Sequence, residues 1–273
     1  MGEINYAPLI DDMVWSYSRI KAFVDCPYRF YLKYIRHIHG KEMFFASYGT
    51  FMHKLIETYF KDGKSPRQLT DIYLRDFKKE VIGRAPNKTV FGNYFTGGLR
   101  YLRGIHPFPY RPVAIEKKVD FKVNGIPFIG YIDFLGELDG SLYVVDNKSR
   151  VLKPRSKREK PTKTDEELDA YLKQLYLYSA AVEEEHGVRP RKLCFNCFRT
   201  DTFIEEPFLD KDYEGAKQWL AEMISEIRQE SDFKPSCEFF KCTHLCEMQD
   251  ECEYYQFCLL YTSPSPRDRQ KSR

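Results

Sequence analysis

The chain has 273 residues, 42% of them hydrophobic, which is enough for one large domain with a substantial core or for two small ones. No run approaches the roughly 18–20 continuous apolar residues of a bilayer-spanning helix. The start MGEINYAPLIDDM lacks the basic and apolar regions of a secretory signal, so a cytoplasmic protein with no membrane partner is expected. The formal net charge is +3, and residues 258–273, CLLYTSPSPRDRQKSR, carry that same excess in Arg267, Arg269, Lys271 and Arg273 against Asp268. The body is then near neutral, so only local basic patches can argue for nucleic acid.

Residues 16–38 place Ile20, Phe23, Val24, Phe30, Tyr31, Tyr34 and Ile35 at helical spacing, and Pro27 divides them into two helices joined at Cys26. Further helices are predicted near 47–60, 66–82 and 90–103, completing a helical region over 16–104. From Val113 the pattern turns to strands: VAIEKKVDFKV, IPFIGYIDFLGEL and SLYVVDNKS, the last two joined by an Asp139-Gly140 hairpin. A helix over 165–185, a strand in RKLCFNCFR and a helix near 211–229 follow. This order predicts an α/β fold with a central mixed sheet flanked by helices on both faces. The tail from Cys258 resembles the translation of a sequencing-library adapter fused in frame to a truncated gene. One domain is expected over 1–257, with its sheet-bearing core at 113–230.

In SLYVVDNKS, alternation puts Leu142, Val144, Asp146 and Lys148 on one side of the strand, so a carboxylate and an ammonium emerge together at the end of an apolar row. Asp133, on the preceding strand, lies close enough across the hairpin to share a divalent cation with Asp146. Two converging carboxylates repel unless a cation or proton sits between them. Such oxygen ligands suit Mg²⁺ or Mn²⁺, and a neighbouring lysine can orient or deprotonate the attacking water. Glu116, on the first strand, could face the same point but is not counted among the ligands. In YGTFMHKLIETYF, Met52, Leu55, Ile56 and Tyr59 form a buried stripe while His53 and Glu57 share another face.

Together G-Y-I-D, a turn, and V-V-D-N-K resemble motifs II and III of the PD-(D/E)xK nuclease superfamily, in its RecB-like branch. The segment around His53 is similar to that branch's G-x-x-x-H helix, and YLKQLYLYSAAV resembles its Q-x-x-x-Y helix. The opening SYSRIKAFVDCPYRFYLKYI matches as well. The resemblance implies a restriction-endonuclease-like core and a metal-dependent DNA exonuclease. His53, Asp133 and Asp146 would bind Mg²⁺ or Mn²⁺, Lys148 would serve the water, and Gln174 and Tyr178 would assist. Single-stranded DNA ends are the implied substrate, in recombination, repair, phage replication or CRISPR adaptation, with partners in a helicase-nuclease or CRISPR adaptation complex. A non-catalytic DNA-binding subunit and a structure-specific endonuclease are the alternatives on the same fold.

Near the end, Cys242-x3-Cys246-x5-Cys252 brings three thiolates within reach of one metal centre, and a fourth ligand must come from elsewhere. The iron-sulfur members of this branch, of AddB and CRISPR-associated type, take it from the N-terminal Cys-Pro, here Cys26. A 4Fe-4S cluster held by Cys26, Cys242, Cys246 and Cys252 is therefore implied for the segment 237–257, with zinc as the alternative and Cys237 or His244 as substitute ligands. Disulfides are not expected in a reducing compartment. Cys194 and Cys197 form a C-x-x-C within a buried strand and are expected to pack. The run after the catalytic strand, with Arg150, Lys153, Arg155, Lys157, Arg158 and Lys160, is expected to be a mobile loop that orders on DNA phosphates.

Overall fold

A computed structural model describes residues 5–262. Three strands follow one another because alternating residues are separated by two tight turns: β1 (Arg111–Val123), β2 (Ile126–Leu138) and β3 (Ser141–Asn147). Asn124-Gly125 and Asp139-Gly140 make the turns, and all four residues have positive φ, which matches the twist of the flanking strands. β4 (Lys192–Cys197) lies parallel to β3, and β5 (Thr202–Pro207) returns antiparallel, giving the order β1-β2-β3-β4-β5.

The parallel step needs a crossover, supplied by α7 (Lys163–His186). Thr162 and Asp165 form a capping box at its start, and Gly187, at φ +70°, ends it. Ahead of the sheet come α1 (Ala7–Asp11), α2 (Tyr17–Asp25) and α3 (Pro27–Phe30), the last running into a π turn over Tyr31–Ile35. Then follow α4 (Phe44–Asp62), α5 (Pro66–Glu80) and α6 (Lys88–Gly104). After the sheet come α8 (Asp210–Gln229), α9 (Phe239–His244) and α10 (Tyr255–Thr262).

The main core packs Ile132, Val144, Leu193 and Phe195 of the sheet against Phe23, Leu172, Leu175 and Leu220 of α2, α7 and α8. Truncating a fully buried phenylalanine such as Phe195 to alanine costs about 3–5 kcal/mol. On the other face Phe134, Tyr143, Val145 and Cys194 form a smaller cluster with Tyr110. A third cluster closes α4, α5 and α6 around Met52, Leu55, Tyr73 and Leu102. The expected mixed sheet flanked by helices is present. β5 was not expected, because TFIEEP carries two acids. Glu206 is buried nevertheless, against Arg155. No helix of the described residues is long and apolar enough to cross a membrane.

Candidate active site

Strand register brings Asp133 against the end of β3. β2 and β3 pair Phe134 with Val145, and one step further the Asn147 N–H donates to Asp133 Oδ2 at 2.7 Å. α4 crosses above and points His53 at the same place, with Nδ1 at 3.4 Å from both Asp133 Oδ2 and Glu116 Oε1. Among the described residues, His53, Glu116 and Asp133 are the set whose ligand atoms all lie within 4.8 Å of one another. Glu116 enters by a backbone distortion that alternation does not predict. Its φ is +45°, between the pairs Ile115 with Phe134 and Lys117 with Ile132. A non-glycine residue held there carries about 1–3 kcal/mol of strain, and such strain concentrates at functional sites.

Asp146 lies outside that trio and faces Lys148, whose Nζ is 2.8 Å from Asp146 Oδ2. The pair is close but badly aligned, since this buried oxygen has no donor directed at it. Burial, together with the charges of Asp146 and Glu116, outweighs the neighbouring His53 charge and raises the Asp133 pKa to about 7. Burial pulls His53 down, yet the Asp133 charge and the Glu116 hydrogen bond prevail and lift it to about 9. For Lys148 burial is likewise outweighed by the Asp146 charge, so the pKa is raised and the ammonium is kept. Converging carboxylates, one imidazole nitrogen and a buried oxygen without an aligned donor form a donor set that fits Mg²⁺ or Mn²⁺.

α7 supplies the next contacts. Gln174 Oε1 accepts from Lys148 Nζ at 3.0 Å, and Gln174 Nε2 donates to the Tyr178 hydroxyl at 3.3 Å. The Tyr171 ring lies 5.6 Å from the same ammonium. Tyr178 can approach because residue 130 is glycine: a Cβ there would come within 2.5 Å of its ring. His53, Asp133, Asp146, Lys148, Gln174 and Tyr178 are thus in one place, joined by Glu116.

A profile of the PD-(D/E)XK nuclease superfamily matches residues 14–258. The chain belongs to the PD-(D/E)XK nuclease superfamily. A crystal structure of a presumed exonuclease from Eubacterium rectale superposes with a TM-score of 0.50 at 12% identity, covering 100% of this chain and 99% of that one. A crystal structure of SSO0001 matches at 17% identity and a TM-score of 0.33, covering 86% and 85%. No curated protein matches the chain.

In this nuclease the basic segment after β3 is fastened rather than loose. Leu152 is buried, Arg150 pairs with Glu167 at 2.7 Å, and Arg155 reaches Glu206 at 2.9 Å and Asp169 at 2.5 Å. Asp165 accepts four hydrogen bonds from Ser156 and Thr162, and the Ser156 N–H leads in holding its carboxyl well below the usual range. Arg150 and Arg155 therefore face carboxylates, while Lys153, Lys157, Arg158 and Lys160 are exposed.

Cys26, Cys242, Cys246 and Cys252 line one separate pocket of the nuclease, between the α2–α3 junction and the C-terminal segment. Its volume of about 50 Å³ exceeds the ~10–15 Å³ that one water requires. Burial raises the pKa values of Cys242, Cys246 and Cys252, and the nearby Cys26 sulfur adds to it. Cys237, a possible substitute ligand from the sequence, is instead bonded to Cys258, so one disulfide forms where none was expected. Cys194 and Cys197 are fully buried on β4. Residues 263–273 of the adapter-like tail lie outside the described residues.

Proposed function

We propose that this nuclease is a metal-dependent DNA exonuclease acting on single-stranded ends. The observation that carries the reading is the convergence of His53, Glu116 and Asp133 beside the buried Asp146–Lys148 pair. A divalent cation held by these carboxylates and by His53 would supply positive charge against the scissile phosphate and the attacking water. The remaining work belongs to side chains. A lysine ammonium has three N–H groups, and the partners within hydrogen-bond distance among the described residues are Asp146 and Gln174. A third N–H is left to orient water or hold a phosphate oxygen, while Gln174, backed by Tyr178, keeps the ammonium in place. The exposed Lys153, Lys157, Arg158 and Lys160 contact phosphates. The preference for ends rests on the RecB-like resemblance and on the Eubacterium rectale neighbour.

The four thiols on one pocket fit a cysteine-held metal centre. A single tetrahedral zinc would draw its sulfurs to about 3.8 Å from one another, given Zn–S of about 2.3 Å. A 4Fe-4S cluster is what the RecB-like resemblance implies for these thiols, with zinc as the alternative. The test is anaerobic purification with iron and sulfide analysis, then digestion of end-labelled linear DNA with and without Mn²⁺, beside circular single-stranded DNA. Mn²⁺-dependent release from linear DNA and an intact circle are expected. Cutting of the circle would make the protein an endonuclease, and failure to cut either would remove the catalytic reading.

A further inference from the structure

Asn147 occupies the middle position of Asp146-Asn147-Lys148, where the catalytic motif asks for no particular residue, yet it is 3% exposed and bonds to two site residues. Its N–H donates to Asp133 Oδ2 at 2.7 Å, and its carbonyl oxygen lies 2.9 Å from His53 Nε2. A carbonyl only accepts, so His53 Nε2 must carry the proton. In the neutral ring this leaves the Nδ1 lone pair, which is the atom facing Glu116 and Asp133. One backbone unit thus selects the tautomer of the histidine and fixes the rotamer of the aspartate.

That unit is itself clamped. Asn196 stands beside Asn147 on the parallel strand β4, and its amide nitrogen donates to Asn147 Oδ1 at 2.7 Å and to the Tyr101 hydroxyl at 2.7 Å. The Asn196 carbonyl accepts the Lys148 N–H at 2.9 Å. Both amides are buried, so a lost partner is not readily replaced by water. We propose that Asn147 and Asn196 are positioning residues. Their paired amides, anchored to α6 through Tyr101, hold the β3 backbone where it presents His53 Nδ1 and one Asp133 oxygen to a common point. This rests on the reading that a divalent cation binds at that point.

The test uses full-length protein labelled with ¹⁵N-histidine, with the His53 ring signals assigned by their loss in His53→Gln. In the metal-free wild type above pH 9, where the ring is neutral, ring nitrogen shifts should show the proton on Nε2. Asn147→Ala and Asn196→Ala should mix the two tautomers and weaken Mn²⁺ binding by about 10–100-fold, the usual range for groups that orient ligands, with Mn²⁺ followed by electron paramagnetic resonance. Tyr101→Phe removes only a hydroxyl and should give a smaller loss in the same direction, which keeps the test open if the alanine variants fail to fold. Folded variants with an unmixed His53 tautomer and wild-type Mn²⁺ affinity would overturn the proposal. Wild-type protein that binds no Mn²⁺ would instead count against the cation reading, while its ring shifts would still judge the clamp.

Discussion

At the carboxylate centre, the register of β2 and β3 sets Asp133 and Asp146, and α4 adds His53 from above. The cysteine pocket is assembled differently, since Cys26 meets Cys242, Cys246 and Cys252 only when the α2–α3 junction and the C-terminal segment close across most of the chain. Strand pairing and a buried core hold the first centre whether or not an ion is bound. The second relies on short helices, on Arg29 and Lys33 each 2.7 Å from Glu247, and on the Lys41 N–H bonding the Glu247 carbonyl at 2.9 Å. Ion pairs of this kind contribute little on their own. The sheet-built centre is therefore shaped before any ion arrives, whereas the cysteine pocket, on the proposal that it holds a metal centre, would draw its cohesion from that metal.

The largest expected effect separates the two at once. Lys148→Ala should lower the cleavage rate by about 10²–10³-fold, the magnitude of one lost transition-state donor, with iron content near wild type and some loss of thermal stability, because it strands the buried Asp146. Rapid-quench assays on end-labelled DNA measure it, and retained cleavage would break the assignment of Lys148. Cys246→Ser should do the reverse, with iron falling to background and hydrogen exchange quickening over residues 237–257 and the α2–α3 junction. Mn²⁺ affinity at the carboxylates should stay near wild type. If it collapsed as well, the two centres would be one cooperative unit and the contrast would fail.

The same contrast explains what was legible beforehand. Asp146, Lys148 and Asp133 are readable because strand alternation and an Asp-Gly turn fix which side chains converge. Glu116 is hard to read from sequence because its left-handed backbone breaks the alternation of a regular strand. Asn147 leaves no mark in the sequence because its bonds to Asp133 and His53 are made by backbone atoms. β5 went unread because Glu206 is made tolerable inside by Arg155, a partner distant in the chain. In the basic segment Arg150 and Arg155 have carboxylate partners that only the fold supplies, the acids of α7 and β5.

A middle-sized effect concerns pH. Without metal, Asp133 at about 7 and His53 at about 9 both hold a proton more tightly folded than unfolded. Both therefore stabilise the fold at low pH, and the contributions fade as pH rises: Asp133 from the ordinary carboxylate range to about 7, His53 from 6.5 to about 9. A cation replaces those protons, so Mn²⁺ should tighten by about tenfold per pH unit for each proton released. The rise in melting temperature on adding Mn²⁺ should accordingly grow from pH 6 to 9. A pH-independent gain would place the ion elsewhere.

The smallest effects test the loop. Replacing Lys157, Arg158 and Lys160 together by alanine should reduce the slope of log affinity against log salt by about 2, at roughly 0.7 per single-strand phosphate contact. Arg155→Ala should lower stability instead, because it strands the buried Glu206. Equal slopes in the triple variant and wild type would show that the loop does not touch DNA.

The most direct test of the central claim is anomalous diffraction at the manganese edge from crystals soaked in MnCl₂. The account predicts a peak among His53 Nδ1, Glu116, Asp133 and Asp146, absent in Asp133→Asn. Well-ordered density for these side chains with no peak between them, or a peak unaffected by Asp133→Asn, would contradict it.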